Sequence, residues 1–159
     1  MKRIALAFAL AIVVLFTSIS AFADHPVSIS IYDAGNATNL ISIKKPETAI
    51  SATSKKIYGI SGISSQGVTV AIYKYSSLSG EYVLMKNKDG TNAITTIGAS
   101  GLYIKQVTLN EGENKFLIRA ESPNGSYQIV KFEISLLTQE TADSLRTFDF
   151  SSVFSGWLN

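Results

Sequence analysis

Apolar and polar residues alternate with a period of two along most of this chain, most clearly between residues 102 and 137. That stretch reads Leu-Tyr-Ile-Lys-Gln-Val-Thr-Leu, breaks at Asn-Glu-Gly-Glu-Asn, and resumes as Lys-Phe-Leu-Ile-Arg-Ala-Glu-Ser. It turns at Pro-Asn-Gly-Ser and closes with Tyr-Gln-Ile-Val-Lys-Phe-Glu-Ile-Ser-Leu-Leu. Three β-branched and aromatic runs separated by Gly, Asn and Pro clusters predict an antiparallel meander. In the second run Phe116, Ile118 and Ala120 share one face, with Lys115, Arg119 and Glu121 on the other. In the third, Val130, Phe132 and Ile134 oppose Lys131 and Glu133. Such strands have one face on a core and one in water.

Upstream, residues 27–32 alternate as a first strand, 33–39 are rich in turn formers, and 40–43 suit a short second strand. Pro46 and Glu47 mark a boundary. Further strands are expected at 57–62, 68–75, 81–86 and 93–97, with turn chemistry at Lys88-Asp89-Gly90 and at 98–101. In the clearest of them Val68, Val70 and Ile72 share one face; Thr69, Ala71, Tyr73 and Tyr75 share the other. A strand about every ten residues is the spacing of a β-sandwich. Energetics point the same way. A buried Val, Ile, Leu or Phe contributes roughly 1.5–3 kcal/mol, whereas ordering one residue costs roughly 1–2 kcal/mol of backbone entropy. The last hairpin therefore needs a second sheet over its apolar face.

The order Gly67-Val-Thr-Val-Ala-Ile, then Val107-Thr-Leu-Asn-Glu-Gly-Glu-Asn-Lys-Phe-Leu-Ile-Arg-Ala, then Asn124-Gly125 resembles the bacterial immunoglobulin-like domains. These β-sandwiches accompany secreted glycosidases, including the B domain of glucodextranase, and many cell-surface proteins. The best-matching piece is Leu109-Asn-Glu-Gly-Glu-Asn-Lys-Phe-Leu-Ile, and the likeness spans residues 48–137. It implies an all-β, immunoglobulin-like antiparallel β-sandwich of seven to nine strands. On function it is nearly silent, because one sandwich architecture hosts unrelated roles.

The N-terminus alters the compartment and the charge. Lys2 and Arg3, the apolar run from Ile4 to Phe16, and Ala21-Phe22-Ala23 form a secretory signal peptide over residues 1–23, so export is expected to expose Asp24. The apolar run is short for a membrane span. Without Lys2 and Arg3 the twelve remaining Lys and Arg balance the twelve Asp and Glu. The basic excess of the whole chain therefore carries no nucleic-acid signal. Lys44-Lys45 and Lys55-Lys56 read as solvated lysines that protect sheet edges. The absence of cysteine excludes a disulfide framework and a thiolate metal site. The organisation expected is a signal peptide at 1–23, leader strands at 24–47, the sandwich at 48–137, and a polar linker with an apolar tail at 138–159.

In that tail Phe150, Val153, Phe154, Trp157 and Leu158 follow helical spacing, while Phe148 and Phe150 also suit a short strand. An apolar tail needs a surface to cover it: the domain's own flank, another chain or a membrane. Glu140, Asp143 and Asp149 outnumber Arg146, which disfavours an anionic membrane.

Candidate chemistry is sparse. His25 is the only histidine and falls next to the expected new N-terminus, poorly placed for a Ser–His–Asp triad. No phosphate-binding glycine loop is present. Glu111 and Glu113 flank Gly112 but lack the ligand density of a calcium loop. A glycosidase would need two converging carboxylates, and the acidic residues are scattered over turns. Tyrosines are the one enrichment, with Tyr73, Tyr75 and Tyr103 the candidates for an exposed stacking row. Tyr is equally an ordinary strand former. The expectation is a secreted or cell-surface interaction or structural module, non-enzymatic and without a cofactor. Its expected partner is another extracellular protein or a cell-envelope component. Phe150, Phe154 and Trp157 of the tail are the further candidate contact residues, and the alternative function is a carbohydrate-binding module using exposed tyrosines.

Overall fold

The computed structural model describes residues 25–147. The expected signal peptide and the tail residues Phe150, Phe154 and Trp157 lie outside the described residues. Ten strands form: β1 (Ser28–Ile29), β2 (Ile41–Lys45), β3 (Ile50–Thr53), β4 (Ile57–Ser64), β5 (Thr69–Ser76), β6 (Glu81–Leu84), β7 (Ile94–Thr96), β8 (Leu102–Thr108), β9 (Gly112–Glu121) and β10 (Tyr127–Leu136). A helix, α1 (Gln139–Thr147), follows. A seven-stranded sheet has the order β1-β6-β5-β9-β10-β3, with β7 sharing the β6 edge of β5. A three-stranded sheet has the order β2-β4-β8. The described residues are mostly β, in two sheets.

Alternation decides which side chains meet between the sheets. Val70 and Ile72 of β5, Phe116, Ile118 and Ala120 of β9, and Phe132, Ile134 and Leu136 of β10 line the inner face of the large sheet. Ile41, Ile60, Tyr103 and Val107 of the small sheet join them in one buried cluster. This is the division of faces that the meander predicts.

Three features differ from the sequence reading. The first strand shrinks to two residues, because Ile31 and Tyr32 lie in a turn and are exposed. A strand forms at Ile50–Thr53 and pairs parallel with β10, Ile134 opposite Ser51. Period-two patterning carries no information about strand direction, so it leaves this long-range parallel pair unmarked. The residues expected as a polar linker form α1, which starts at a cap present in the sequence. The Thr141 amide donates to Thr138 Oγ1 at 3.2 Å, and Glu140 sits in the first turn.

The outer face of the large sheet is not bare either. Tyr73, Leu117 and Lys131 lie in one cross-sheet row pointing away from the core. Leu117 and Tyr73 are buried nonetheless, clustered with Ile29, Ala71, Tyr82 and Leu84. Residues 25–37 act as a strap on this face. The Tyr73 hydroxyl donates to Pro26 O at 3.0 Å, and Lys131 Nζ donates to Ile31 O and Asp33 O at 2.6 and 2.7 Å. At the far edge the Asn36 and Ala37 amides donate to Tyr127 O. The described residues of the expected leader strands, 25–47, thus contribute β1, the rest of the strap and β2.

The Asn-Glu-Gly-Glu-Asn turn between β8 and β9 has a physical centre in Asn114, 1% exposed. Its Oδ1 accepts from the Asn110 amide at 2.9 Å and from Lys74 Nζ at 3.1 Å. Its Nδ2 donates to the carbonyls of Asn110, Gly112 and Ile134 at 2.7, 3.0 and 3.2 Å. Gly112, at φ 79°, supplies the left-handed residue that lets the backbone fold around this amide. Burial lowers the Lys74 pKa.

Candidate binding surface

The tyrosines expected as a stacking row do not form one. Tyr73 and Tyr103 are 0% and 1% exposed. Tyr73 lies beneath the strap; Tyr103 points into the inter-sheet core. Burial pushes the Tyr73 pKa up to about 12, with Arg119 opposing and Glu121 adding to the effect. Burial alone drives the Tyr103 hydroxyl far above its usual range. Tyr75 is half-buried, edge-on to Tyr82 with centroids 5.6 Å apart. Tyr is amphipathic enough to occupy either face of a strand, so composition alone does not separate platform from core.

Five charged residues pair in two groups. Arg119 donates from Nε and Nη2 to Glu121 Oε2 at 3.0 and 2.7 Å, and its guanidinium stacks on the Tyr127 ring at 3.8 Å. The Tyr127 hydroxyl reaches the Asp33 carboxylate at 3.3 Å. This network anchors the strap. Glu113 and Glu133 flank Lys115 Nζ at 3.4 and 3.9 Å. His25 is buried. Among the described residues, no group of three or more His, Cys, Asp or Glu is placed to hold a metal ion.

An open cleft of about 280 Å³ lies at the β10 edge, where the two sheets part. Ile41, Ile43, Pro46, Val130 and Phe132 line it, together with Gln128 and Lys131. Glu47 and Thr48 add polar groups to its rim, while Gln128 and Lys131 already have partners. Gln128 Oε1 accepts from the Leu40 and Ile41 amides at 2.7 and 3.0 Å, and the Lys131 ammonium is held by the strap carbonyls.

The outer face of the small sheet is different. On β8 the inward phase is Tyr103 and Val107, which leaves Leu102 and Ile104 facing out, 56% and 69% exposed. Ile63 of β4, 49% exposed, stands directly opposite Leu102. Ser42 continues that row on β2; Ser61 and Lys45 continue the row of Ile104. Three aliphatic side chains thus form a contiguous patch on the small sheet, rimmed by Ser and Lys. The sequence carried a trace of it: β8 has apolar residues in both phases, and one strand face cannot bury both.

Among the described residues no helix is long and apolar enough to cross a membrane. No family model matches the chain, and none of the curated proteins matches it in sequence.

Proposed function

We propose that this chain is an exported, non-enzymatic immunoglobulin-like module that binds another extracellular protein or a cell-envelope component. The observation that carries the reading is the exposed Ile63–Leu102–Ile104 patch. Contiguous exposed aliphatics rimmed by polar residues mark interaction surfaces. The strand order supports the immunoglobulin-like relationship. The chain enters the small sheet at β2, β4 and β8 and the large sheet at β5, β9 and β10. That alternation parallels the A-B-E and C-F-G strands of the immunoglobulin sandwich. Residues 1–23 support export, and N-terminal sequencing of the secreted product should begin at Asp24. Burial of Tyr73 and Tyr103 leaves Tyr75 as the one partly exposed tyrosine of the three, which weighs against the glycan-binding alternative.

The test is retention of native envelope material on the immobilised protein, compared with Ile63→Lys. Ile63 is exposed, so the variant should keep its unfolding midpoint and lose the retained partner. Equal retention by folded wild type and variant would overturn the reading.

A further inference from the structure

We infer that the edge of β8, which is free among the described residues, pairs antiparallel with β8 of a second copy, about a two-fold axis at Ile104. This deepens the reading of the small-sheet face as an interaction surface by naming one occupant.

Among the described residues the strand edges are not alike, and β7, which pairs only with β5, has three residues. β1 has two residues, and β3 has four residues between Pro46 and Lys55-Lys56. β2 carries a bulge between Ile43 and Lys45, the Lys44-Lys45 pair, and Pro46 directly after it. Short length, bulges, Lys and Pro are the means by which edges avoid pairing. β8 has seven residues, a regular register with β4 and no proline.

Hydrogen bonding fixes which backbone groups β8 offers. Gly101 O accepts from the Ser64 amide, and the Leu109 amide donates to Lys56 O. Odd-numbered backbone groups therefore turn toward β4. Those of Leu102, Ile104, Gln106 and Thr108 turn to the free edge, and all four residues are exposed.

Charge and apolar matching select the register. Centring the pair on Lys105 would set two ammonium groups opposite each other, which is unfavourable. Centring it on Tyr103 would carry the pairing to Gly101, whose φ of 68° lies outside strand geometry. Centring it on Gln106 would leave Leu102 unmatched. With Ile104 at the centre, Ile104 faces its own copy, Leu102 faces Gln106, and Lys105 faces Tyr103. All these residues lie within β8. The apolar patches of the two copies then become continuous across the seam.

The chain has no cysteine, so an introduced thiol reports this register directly. Directly opposed residues of an antiparallel pair have Cα atoms about 4.5–5.5 Å apart, within disulfide range. Full-length Ile104→Cys under mild oxidation should become a disulfide-linked dimer, whereas Thr108→Cys should stay largely uncrosslinked. By sedimentation the wild type should be dimeric, and Ile104→Lys should be monomeric with an unchanged unfolding midpoint. A folded Ile104→Cys that remains monomeric, or equal crosslinking of the two cysteine variants, would overturn the inference. Loss of partner retention on Ile63→Lys is read separately, so either reading can fail alone.

Discussion

Phe116 of β9 and Phe132 of β10 are direct cross-strand partners, their rings tilted by 30° with centroids 5.8 Å apart in the inter-sheet core. Phe116 is fully buried and Phe132 nearly so. The pair joins the two longest strands at the place where the small sheet covers them. Lys74 Nζ lies 5.9 Å from the Phe116 ring centroid and also bonds Asn114, linking the core to the β8–β9 turn.

Phe116→Ala should therefore be among the most damaging single changes, costing about 3–5 kcal/mol. Lys131→Ala, which a pattern of alternating faces marks as harmless, should cost roughly 0.5–1.5 kcal/mol through its bonds to Ile31 O and Asp33 O. Denaturant midpoints at constant slope measure both. Equal losses would show that the two faces of β9 and β10 had been exchanged.

Asn114→Leu keeps the branching of the side chain but leaves the Asn110 amide and the surrounding carbonyls without their partner. A loss of about 2–4 kcal/mol is expected, because buried polar groups would remain unsatisfied. Asn114→Asp should be as harmful at neutral pH, since a carboxylate cannot donate to the carbonyls of Asn110, Gly112 and Ile134. It should recover part of the loss in acid, where the protonated group regains one donor. A pH-independent defect would contradict this account of the turn.

The division of faces was legible at Phe116, Ile118, Ala120, Phe132 and Ile134 because the opposite phase carries Lys115, Arg119 and Glu121 on one strand and Lys131 and Glu133 on the other. It was less legible at Leu117 and Tyr73. Their outward phase reads as solvated, and what buries them is a strap dozens of residues away in sequence. The Asn114 turn was visible as a motif, while its mechanism, an amide bonding both Asn110 and Ile134, depends on the β9–β10 register. The tyrosine row failed for a different reason. Composition does not assign a face, and Tyr103 shares the inward phase with Val107. The same phase argument applied to Leu102 and Ile104 would have marked the exposed patch.

Stability should fall in alkali. Tyr73 ordinarily ionises near pH 10.0, and in the fold burial raises that to about 12. Between these values the unfolded chain has released a proton that the folded chain retains. Its contribution is complete below pH 10 and is lost as pH rises through about 12, on the order of 2–3 kcal/mol. Tyr82 is shifted in the same direction by burial. Tyr73→Phe should flatten the decline in unfolding midpoint above pH 10, while lowering the neutral-pH midpoint through loss of the bond to Pro26. An unchanged alkaline slope would mean that Tyr73 is not the group being titrated.

The exposed edge and face of β8 can be read most directly by amide hydrogen exchange of the full chain at two protein concentrations. In dilute solution the Leu102, Ile104 and Gln106 amides should exchange quickly, and those of Tyr103, Lys105 and Val107, turned toward β4, should be protected. At high concentration the Leu102, Ile104 and Gln106 amides should slow as the edge is covered by a second copy. Protection of Ile104 even at the lowest concentration would contradict the account by showing that the chain covers this edge itself. Fast exchange of Ile104 at every concentration would contradict it by showing that the edge stays bare.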